Sequence, residues 1–215
     1  MSNTIAICDY GMGNLHSVAS ALEHVDKSVI VQITSDPDVI EKADRIVFPG
    51  VGAVRDCMHE VSRLGFDGLV ARCIASGKPV LGICVGMQLL FSNSEENGGT
   101  RCMDLISGAV RYFGEDLLDE SGDKLKVPHM GWNNVTQAIN HPLWENIASG
   151  AQFYFVHSYF CEPADTSLTA GVTEYGKKFT SAVARNNLFA TQFHPEKSHD
   201  NGLQLLSNFC RWNGF

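Results

Sequence analysis

The first half of the chain alternates short apolar runs with segments in which apolar residues recur every three or four positions. The run TIAIC at 4–8 is strand-like, and the segment after it has a helical spacing of Leu15, Val18, Ala19, Leu22 and Val25. Further strand-like runs lie at 29–33, 45–48 and 79–83, and 53–64 is predicted to be helical. Strands and helices that alternate with short connections predict an α/β fold with a mainly parallel open sheet and helices on both faces.

The second half has a different pattern, with closely spaced strand-like runs and few helices. Beyond residue 108 these runs are GAVRYF, WNNVTQ, AQFYFVHSYF, LTAGVT, FTSAVA and LFATQF. They predict an antiparallel extension of the first half, closed by an amphipathic helix at 203–212. The stretch 92–104 is predicted to be a long polar loop, and 114–125 an exposed hairpin or loop without an assigned role. No internal repeat is present, so we expect residues 1–215 to form a single domain.

Composition and charge narrow the classes of function. The chain has 215 residues, of which 44% are hydrophobic and 19% charged, as in an ordinary globular protein. Lysine and arginine number 16 against 24 acidic residues, and there is no cluster of five basic residues, so nucleic acid and anionic membranes are poor candidate partners. The start MSNTIAICDYG lacks the pattern of a signal peptide, which predicts a cytoplasmic protein. The seven cysteines are scattered and never spaced as C-x-x-C, so neither a disulfide framework nor a zinc site is predicted.

The stretch LGICVGMQLL at 81–90 places Cys84 between two glycines, where a predicted strand runs into a predicted helix. A nucleophile at such a sharp turn needs flanking glycines, here Gly82 and Gly86, because the backbone is strained and neighbouring segments approach closely. Free N–H groups at the start of the helix would lower the pKa of a thiol and bind a developing oxyanion. Cys84 is therefore predicted to be a nucleophile, with a buried structural cysteine as the alternative.

A cysteine nucleophile requires a base, and the stretch QFHPEKS at 192–198 offers one. His194 follows an apolar strand-like run, and Glu196 is close enough in sequence to orient the imidazole. The two residues complete a predicted Cys84, His194 and Glu196 triad. A histidine after a strand is more often a core or surface residue, so this interpretation depends on the elbow at Cys84. The triad needs no metal and no cofactor, and none is predicted.

LGICVGMQLL and QFHPEKS, together with PGVG at 49–52, resemble the class I (triad) glutamine amidotransferases over nearly the whole chain. The resemblance implies that Cys84 attacks the side-chain amide of L-glutamine and forms a thioester, with His194 as acid and base and Glu196 orienting it. It implies an oxyanion hole formed by main-chain N–H groups of Val51, Gly52 and Val85. Binding of the glutamine backbone end is implied for Gln88, Glu96, Ser158 and Tyr159.

Three further segments, DYGMGNLHSV, VPHMGWN at 127–133 and FYFVHSY at 153–159, are similar to one branch of this family, the glutaminase subunits of imidazole glycerol phosphate synthase. The partner implied is a cyclase subunit with a (β/α)8 barrel, which forms a heterodimer and receives the ammonia. Trp132, Tyr154 and Lys197 match interface or gate positions, with a core tryptophan as the alternative for Trp132. Asn14 lies on a loop that would approach the same face, which makes it a further interface candidate, and it is also the candidate N-cap of the first helix. Family members commonly have Leu where this chain has Val85, which should alter packing more than chemistry.

The resemblance also implies regulation: a cyclase that holds its ribulosyl nucleotide would shift the glutaminase toward a state with a formed oxyanion hole.

Three other interpretations of the function stay open. A class I amidotransferase subunit of another synthase, such as anthranilate synthase, would share the triad. A stand-alone cysteine hydrolase would need neither Gln88 nor VPHMGWN. A binding module with a dead site would lack a member of the triad. A dinucleotide site at Gly11 and Gly13 is discounted because its third glycine would fall on His16.

Overall fold

The computed structural model describes residues 3–215, which form six α-helices and thirteen strands. The helices are α1 (Leu15–Val25), α2 (Pro37–Lys42), α3 (Val54–Leu64), α4 (Phe66–Ala75), α5 (Val85–Leu89) and α6 (His199–Arg211). The strands are β1 (Asn3–Cys8), β2 (Val29–Thr34), β3 (Arg45–Gly50), β4 (Val80–Cys84), β5 (Phe91–Ser94), β6 (Thr100–Arg101), β7 (Ile106–Tyr112), β8 (His129–Gln137), β9 (Ala151–His157), β10 (Tyr159–Pro163), β11 (Thr169–Glu174), β12 (Lys178–Arg185) and β13 (Leu188–Thr191).

The strands join in one mixed sheet whose first half is parallel. Its order is β2, β1, β3, β4, β13, β12, β10, β7, β5 and β6, and the neighbours from β2 to β13 run parallel. From β13 onward most pairs are antiparallel, and β11, β8 and β9 extend the sheet from β12. The predicted α/β fold with a mainly parallel sheet and an antiparallel extension is confirmed.

The parallel strands are apolar because they are buried on both faces. Every residue of β4 and of β13 is buried, and β1 and β3 are buried over most of their length. Helices α1 and α6 pack against each other, while α3 contacts α4 and α5. Continuous apolar runs are the expected pattern for such strands, since helices cover parallel sheets.

The same register brings three chain segments to one edge of the sheet. Gly50 at the end of β3 pairs with Cys84 at the end of β4, and Thr191 at the end of β13 pairs with Ile83. The residues that follow β13 therefore leave the sheet beside Cys84. In open α/β sheets this carboxyl edge is where ligands bind.

Several local predictions were incomplete. The helix after Cys84 has only five residues, and the predicted polar loop at 92–104 contains most of β5 and all of β6. These strands are short and partly polar, so their pattern is weak. Helices α2 and α4 were not predicted, and the last helix begins at His199, four residues before the predicted start. The segment 114–125 folds back through a single bridge between Leu118 and Lys124, as a predicted hairpin would.

Among residues 3–215, no helix combines the length and the apolar composition that crossing a membrane requires.

Two helical glycines allow a test of the close contact between α5 and β3. A Cβ added at Gly86 would lie 2.0 Å from the carbonyl oxygen of Phe48, whereas one at Gly68 would meet only the tip of Arg72 at 3.4 Å. We expect Gly86→Ala to lower the free energy of unfolding by about 3 kcal/mol or more, because backbone must move. Gly68→Ala should raise it by up to about 1 kcal/mol. Denaturant unfolding measures both, and equal effects of the two variants would contradict the packing.

Candidate active site

The chain turns sharply at Cys84, between β4 and α5. Cys84 has φ 56° and ψ −113°, a conformation that is strained for a residue with a side chain. The flanking glycines are required on steric grounds, since a Cβ at Gly82 would lie 2.9 Å from the Cβ of Ala190 and one at Gly86 would strike Phe48. The structure thus has the strand, turn and helix of a nucleophile elbow at the position that the sequence predicted.

His194 and Glu196 form a buried pair beside this turn. The residues from Pro195 to Lys197 make a 3-10 turn, which carries the Glu196 carboxylate back to the imidazole. His194 Nδ1 lies 2.9 Å from Glu196 Oε1, and less than 4% of either side chain is exposed. His194 Nε2 and Glu196 Oε2 are buried without a hydrogen-bond partner among residues 3–215. With Nδ1 committed to the carboxylate, Nε2 is the atom left to exchange a proton.

The charge of His194 is set by its two neighbours. Burial opposes protonation of the imidazole, but the Cys84 sulfur and the Glu196 carboxylate outweigh burial and raise the pKa of His194 to about 10. His194 is therefore an imidazolium at pH 7, held by a buried carboxylate beside the Cys84 sulfur.

A cavity of about 310 Å³ opens onto Cys84 and His194. It brings together most of the residues that the sequence singled out, and its lining includes Val51, Gly52, Val85, Gln88, Glu96, Ser158, Tyr159 and Lys197. Three predicted interface residues, Asn14, Trp132 and Tyr154, are not part of this lining. The cavity thus brings a thiol, an imidazole and main-chain groups close together, an arrangement that suits acyl transfer.

Side chains hold the glycine-rich strand end at 49–52, which the sequence assigned to the oxyanion hole. The Tyr10 hydroxyl donates to the Pro49 carbonyl at 2.6 Å, and the Cys57 thiol donates to the Val51 carbonyl at 3.4 Å. Gly52 has φ 97°, which favours glycine. Sequence reasoning missed Tyr10 and Cys57, because neither belongs to a recognisable catalytic motif.

Gln88 lies in the wall of the cavity, where only 4% of it is exposed, so it is not a helix-surface amide. Its Nε2 donates to the Tyr159 carbonyl at 3.2 Å and to Gln192 Oε1 at 3.0 Å. The Gln192 amide in turn lies 3.9 Å from the Cys84 sulfur, as a donor. Gln192 was missed, although the two-residue spacing to His194 along an extended segment places both side chains on one side.

Glu96 is half-buried and its Oε2 accepts the Val54 N–H at 2.7 Å. This contact places the carboxylate at the start of α3, so Glu96 is not a freely solvated loop charge. The bond engages one carboxylate oxygen, and the residue still lines the cavity.

Two of the four predicted interface residues, Trp132 and Tyr154, pack together on an aromatic surface, while Lys197 lines the cavity. Trp132 is 42% exposed, which excludes a core role, and it stacks on His199 with ring centroids 4.9 Å apart. Trp132 and Tyr154 are cross-strand partners in β8 and β9. Asn14 occupies the N-cap position of α1, but its side chain accepts the Ser17 hydroxyl at 2.8 Å and makes no capping hydrogen bond.

A second buried cluster, which the sequence did not reveal, adjoins Tyr159, and its His157 lines the cavity. His129 Nδ1 and His157 Nε2 are 2.9 Å apart, and His157 Nδ1 donates to the Tyr159 carbonyl at 2.7 Å. Burial lowers the pKa of His129 to about 4 and the pKa of His157 to about 3. Both imidazoles are therefore neutral at pH 7.

The other six cysteines differ from Cys84 in their surroundings. Burial raises the pKa of Cys8, Cys73 and Cys161, and it raises the pKa of Cys57, Cys102 and Cys210 to about 12. A thiol with so high a pKa is a poor nucleophile near pH 7. Cys84 is the cysteine that lines the cavity with an imidazolium beside it.

Alkylation should therefore be selective. We expect a single adduct with iodoacetamide at pH 7, on Cys84, because its sulfur faces a cavity beside the protonated His194 while burial keeps the other thiols protonated. Intact-mass and peptide mass spectrometry locate the adduct, and Cys84→Ala should abolish it. An equally fast adduct on another cysteine of the folded chain would contradict the assignment.

The histidine pair predicts a loss of stability in acid. The folded-state pKa values of His129 and His157 lie below the unfolded value of about 6.5, so the unfolded chain binds more protons between pH 6.5 and 4. The contribution of the neutral pair to the free energy of unfolding is therefore fully present above pH 6.5, and it decreases as the pH falls from 6.5 to 4. We expect His157→Asn to reduce proton uptake on unfolding at pH 4.5 by about one proton. Urea unfolding from pH 4 to 7 gives the slope of the free energy of unfolding against pH, which reports this proton uptake. The same slope in His157→Asn and in the wild type would contradict a neutral pair.

The comparisons with known proteins agree with this geometry. The chain matches the family model Glutamine amidotransferase class-I over residues 6–212. The Imidazole glycerol phosphate synthase subunit HisH of Pseudomonas syringae pv. syringae (strain B728a) is 58% identical, over 98% of this chain and 98% of its own length. The protein of the same name from Methylococcus capsulatus is 54% identical, over 98% of this chain and 97% of its own length.

Solved structures agree at the level of the fold. The structure titled PurLQS from Thermotoga maritima has a TM-score of 0.71 at 18% identity and covers 98% of this chain and 99% of its own. Because the family model and the two relatives span nearly the whole chain, this protein belongs to the class I glutamine amidotransferase family.

Proposed function

We propose that this chain is the glutaminase subunit of an imidazole glycerol phosphate synthase, acting in histidine biosynthesis. It hydrolyses L-glutamine to glutamate and ammonia and passes the ammonia to a cyclase subunit. The observation that carries the proposal is the free Nε2 of a carboxylate-held His194 at the cavity of the Cys84 elbow. The relatives named as HisH subunits, at 54 to 58% identity over nearly the whole chain, support the choice of pathway.

The geometry supports a two-step mechanism. The Cys84 thiolate attacks the side-chain carbonyl carbon of glutamine, and the carbonyl oxygen becomes an oxyanion. His194, protonated at Nε2, donates its proton to the departing nitrogen, so that the C–N bond breaks, ammonia leaves and a thioester remains. A water then loses a proton to His194 and attacks the thioester. The C–S bond breaks and glutamate is released. Glu196 keeps the imidazole oriented and stabilises its charge throughout.

Main-chain groups are proposed to stabilise the oxyanion. The Val85 N–H lies at the start of α5 next to the nucleophile, and Val51 and Gly52 line the same cavity. One such donor contributes about a hundredfold or more in rate. The side chains of Tyr10 and Cys57 hold the carbonyls of Pro49 and Val51, and so they constrain the peptides on which this hole depends.

The rest of the cavity is proposed to bind the amino-acid end of glutamine. The Glu96 carboxylate suits the α-ammonium group, since one of its oxygens remains free of the Val54 N–H. Ser158 and Tyr159 would contribute main-chain contacts, and Gln88 is fixed by two hydrogen bonds beside them.

We also propose a partner and a location. The partner is a cyclase subunit with a (β/α)8 barrel, docked where the exposed Trp132 packs against the half-buried Tyr154 and Lys197 borders the cavity. Binding of its ribulosyl nucleotide would favour the formed oxyanion hole. The cytoplasm is the proposed location, because the cysteines of residues 3–215 are all free thiols. Residues 1–215 are proposed to act as one domain.

Glutamate release from glutamine tests the function. The full chain is assayed alone, with its cyclase partner, and with partner and ribulosyl nucleotide. We expect a rate that rises by orders of magnitude with both. Cys84→Ala should remove it, and His194→Ala should lower kcat about a thousandfold or more. Glu196→Gln should lower kcat about a hundredfold or more because the imidazolium loses its charged partner.

Glu162→Gln is the matched control for Glu196→Gln, because Glu162 is an exposed carboxylate paired with Arg111. The Glu162→Gln variant should have the kcat of the wild type. High activity without a partner would favour a stand-alone hydrolase. Stimulation by the partner of another synthase would reassign the pathway, and wild-type kcat in Cys84→Ala would overturn the mechanism.

A further inference from the structure

We infer that His129 and His157 form a proton-ordered positioning pair, which fixes the Tyr159 carbonyl and the amides beyond it at the cavity wall. His157 borders the cavity that contains Cys84 and His194. The hydrogen bonds of the two imidazoles join them to each other, to Asn133 and to the Tyr159 carbonyl. The inference rests on the proposed glutaminase function. It assigns a role to two buried histidines that the proposed mechanism leaves unused.

The order begins at Asn133, whose side-chain orientation is fixed from two sides. Its Nδ2 donates to the Glu174 carbonyl at 2.8 Å, and its Oδ1 accepts the Asn134 N–H at 2.7 Å. A carbonyl accepts and an N–H donates, so the amide has a single favourable orientation. The Nδ2 that also lies 3.2 Å from His129 Nε2 is consequently a donor to that nitrogen.

This donor determines the tautomers of both histidines. A neutral imidazole has one donor and one acceptor nitrogen, so a His129 that accepts at Nε2 carries its proton on Nδ1. His129 Nδ1 then donates to His157 Nε2 at 2.9 Å. His157 in turn carries its proton on Nδ1 and donates it to the Tyr159 carbonyl at 2.7 Å. Each donor in the series meets an acceptor only in this order.

Beyond Tyr159 the series reaches the nucleophile. The Tyr159 carbonyl accepts a second hydrogen bond from Gln88 Nε2, which also donates to Gln192 Oε1. The Gln192 amide then presents its own N–H groups toward the Cys84 sulfur at 3.9 Å. A Tyr159 carbonyl that is held by His157 thereby orients Gln88, and Gln88 orients Gln192.

Aromatic side chains pack around the pair. Tyr175 stacks on one side of His129 with ring centroids 4.0 Å apart, and Phe155 stacks at 4.8 Å. Phe113 and Phe179 pack against His157 at 5.2 and 5.3 Å. Hydrogen bonds in such a low-dielectric setting are strong when satisfied and costly when broken.

Variants at His157 separate positioning from packing. His157→Leu fills space without a donor, whereas the side-chain amide introduced by His157→Asn can still donate to the Tyr159 carbonyl. We expect His157→Leu to raise KM for glutamine about tenfold, the equivalent of one buried hydrogen bond, with kcat changed less than about threefold. His157→Asn should restore KM to within about threefold of the wild type. Assays use the full chain with its cyclase partner and ribulosyl nucleotide.

A second pair of variants tests the proton order without removing a histidine. Asn133→Asp replaces the donor to His129 Nε2 by an acceptor, which favours the opposite tautomer in both rings. Asn134→Asp introduces the same charge at the next, exposed position and leaves the series intact. Nitrogen-15 NMR of labelled histidine reports which ring nitrogen carries the proton, and KM is measured on the same samples at pH 8.

The expected result is that KM follows the tautomer. Asn134→Asp should keep the His157 proton on Nδ1 and should have the KM of the wild type. If Asn133→Asp moves this proton to Nε2, its KM should rise about tenfold. A moved proton with unchanged KM would overturn the inference, and so would equal KM values for the Leu and Asn variants at His157. The wild-type enzyme separates the two proposals: if it does not hydrolyse glutamine, the proposed function fails, while the NMR spectrum still reports the proton order.

Discussion

The structure depends on the close approach of α5 to the end of β3. Only a residue without a side chain fits at Gly86, where the helix backbone meets the Phe48 carbonyl. This contact fixes where α5 begins, and it therefore fixes the strained turn at Cys84 and the direction of the Val85 N–H. The same contact holds the glycine-rich end of β3 beside the nucleophile. A backbone contact is a suitable device here, because it leaves the side chains around the cavity free for chemistry.

The site keeps two buried polar atoms without partners, which is unfavourable for folding. An unsatisfied buried polar group costs about 1 to 3 kcal/mol, and both His194 Nε2 and Glu196 Oε2 belong to this class in the described chain. The fully buried strands β4 and β13, which pair with each other, offset the cost and keep the segments that bear these atoms in place. Preorganisation explains why such strain is located at the triad, since donors that are fixed in advance need no reorganisation during the reaction.

Sequence patterns were sufficient for the features that depend on local rules. Apolar runs identified the parallel strands, and the glycines around Cys84 identified the elbow. Gln192 and the pair of His129 and His157 were not found, because their roles arise from contacts between strands that are distant in sequence. The same limit applies to β5 and β6, which are short and partly polar. The two strands pair with each other, and β5 also pairs with β7, so neither has the apolar pattern by which a strand is predicted. Asn14 is the N-cap residue of α1, as predicted, but its side-chain oxygen accepts the Ser17 hydroxyl and makes no capping hydrogen bond.

The position of β8 gives the buried histidines their significance. This strand carries Trp132 on an exposed surface and His129 in the interior, because side chains an odd number of residues apart point to opposite faces of a strand. Trp132 and Asn133 are adjacent, and the Asn133 amide is the first donor of the series that ends at the Cys84 sulfur. A partner that binds at Trp132 would thus contact the chain directly before Asn133, the residue whose amide is inferred to set the tautomers of His129 and His157. Because hydrogen bonds in series have one favourable direction, a small rotation of the Asn133 amide would affect every donor beyond it. The series of hydrogen bonds thus begins at the residue next to the exposed Trp132 and ends at the Cys84 sulfur.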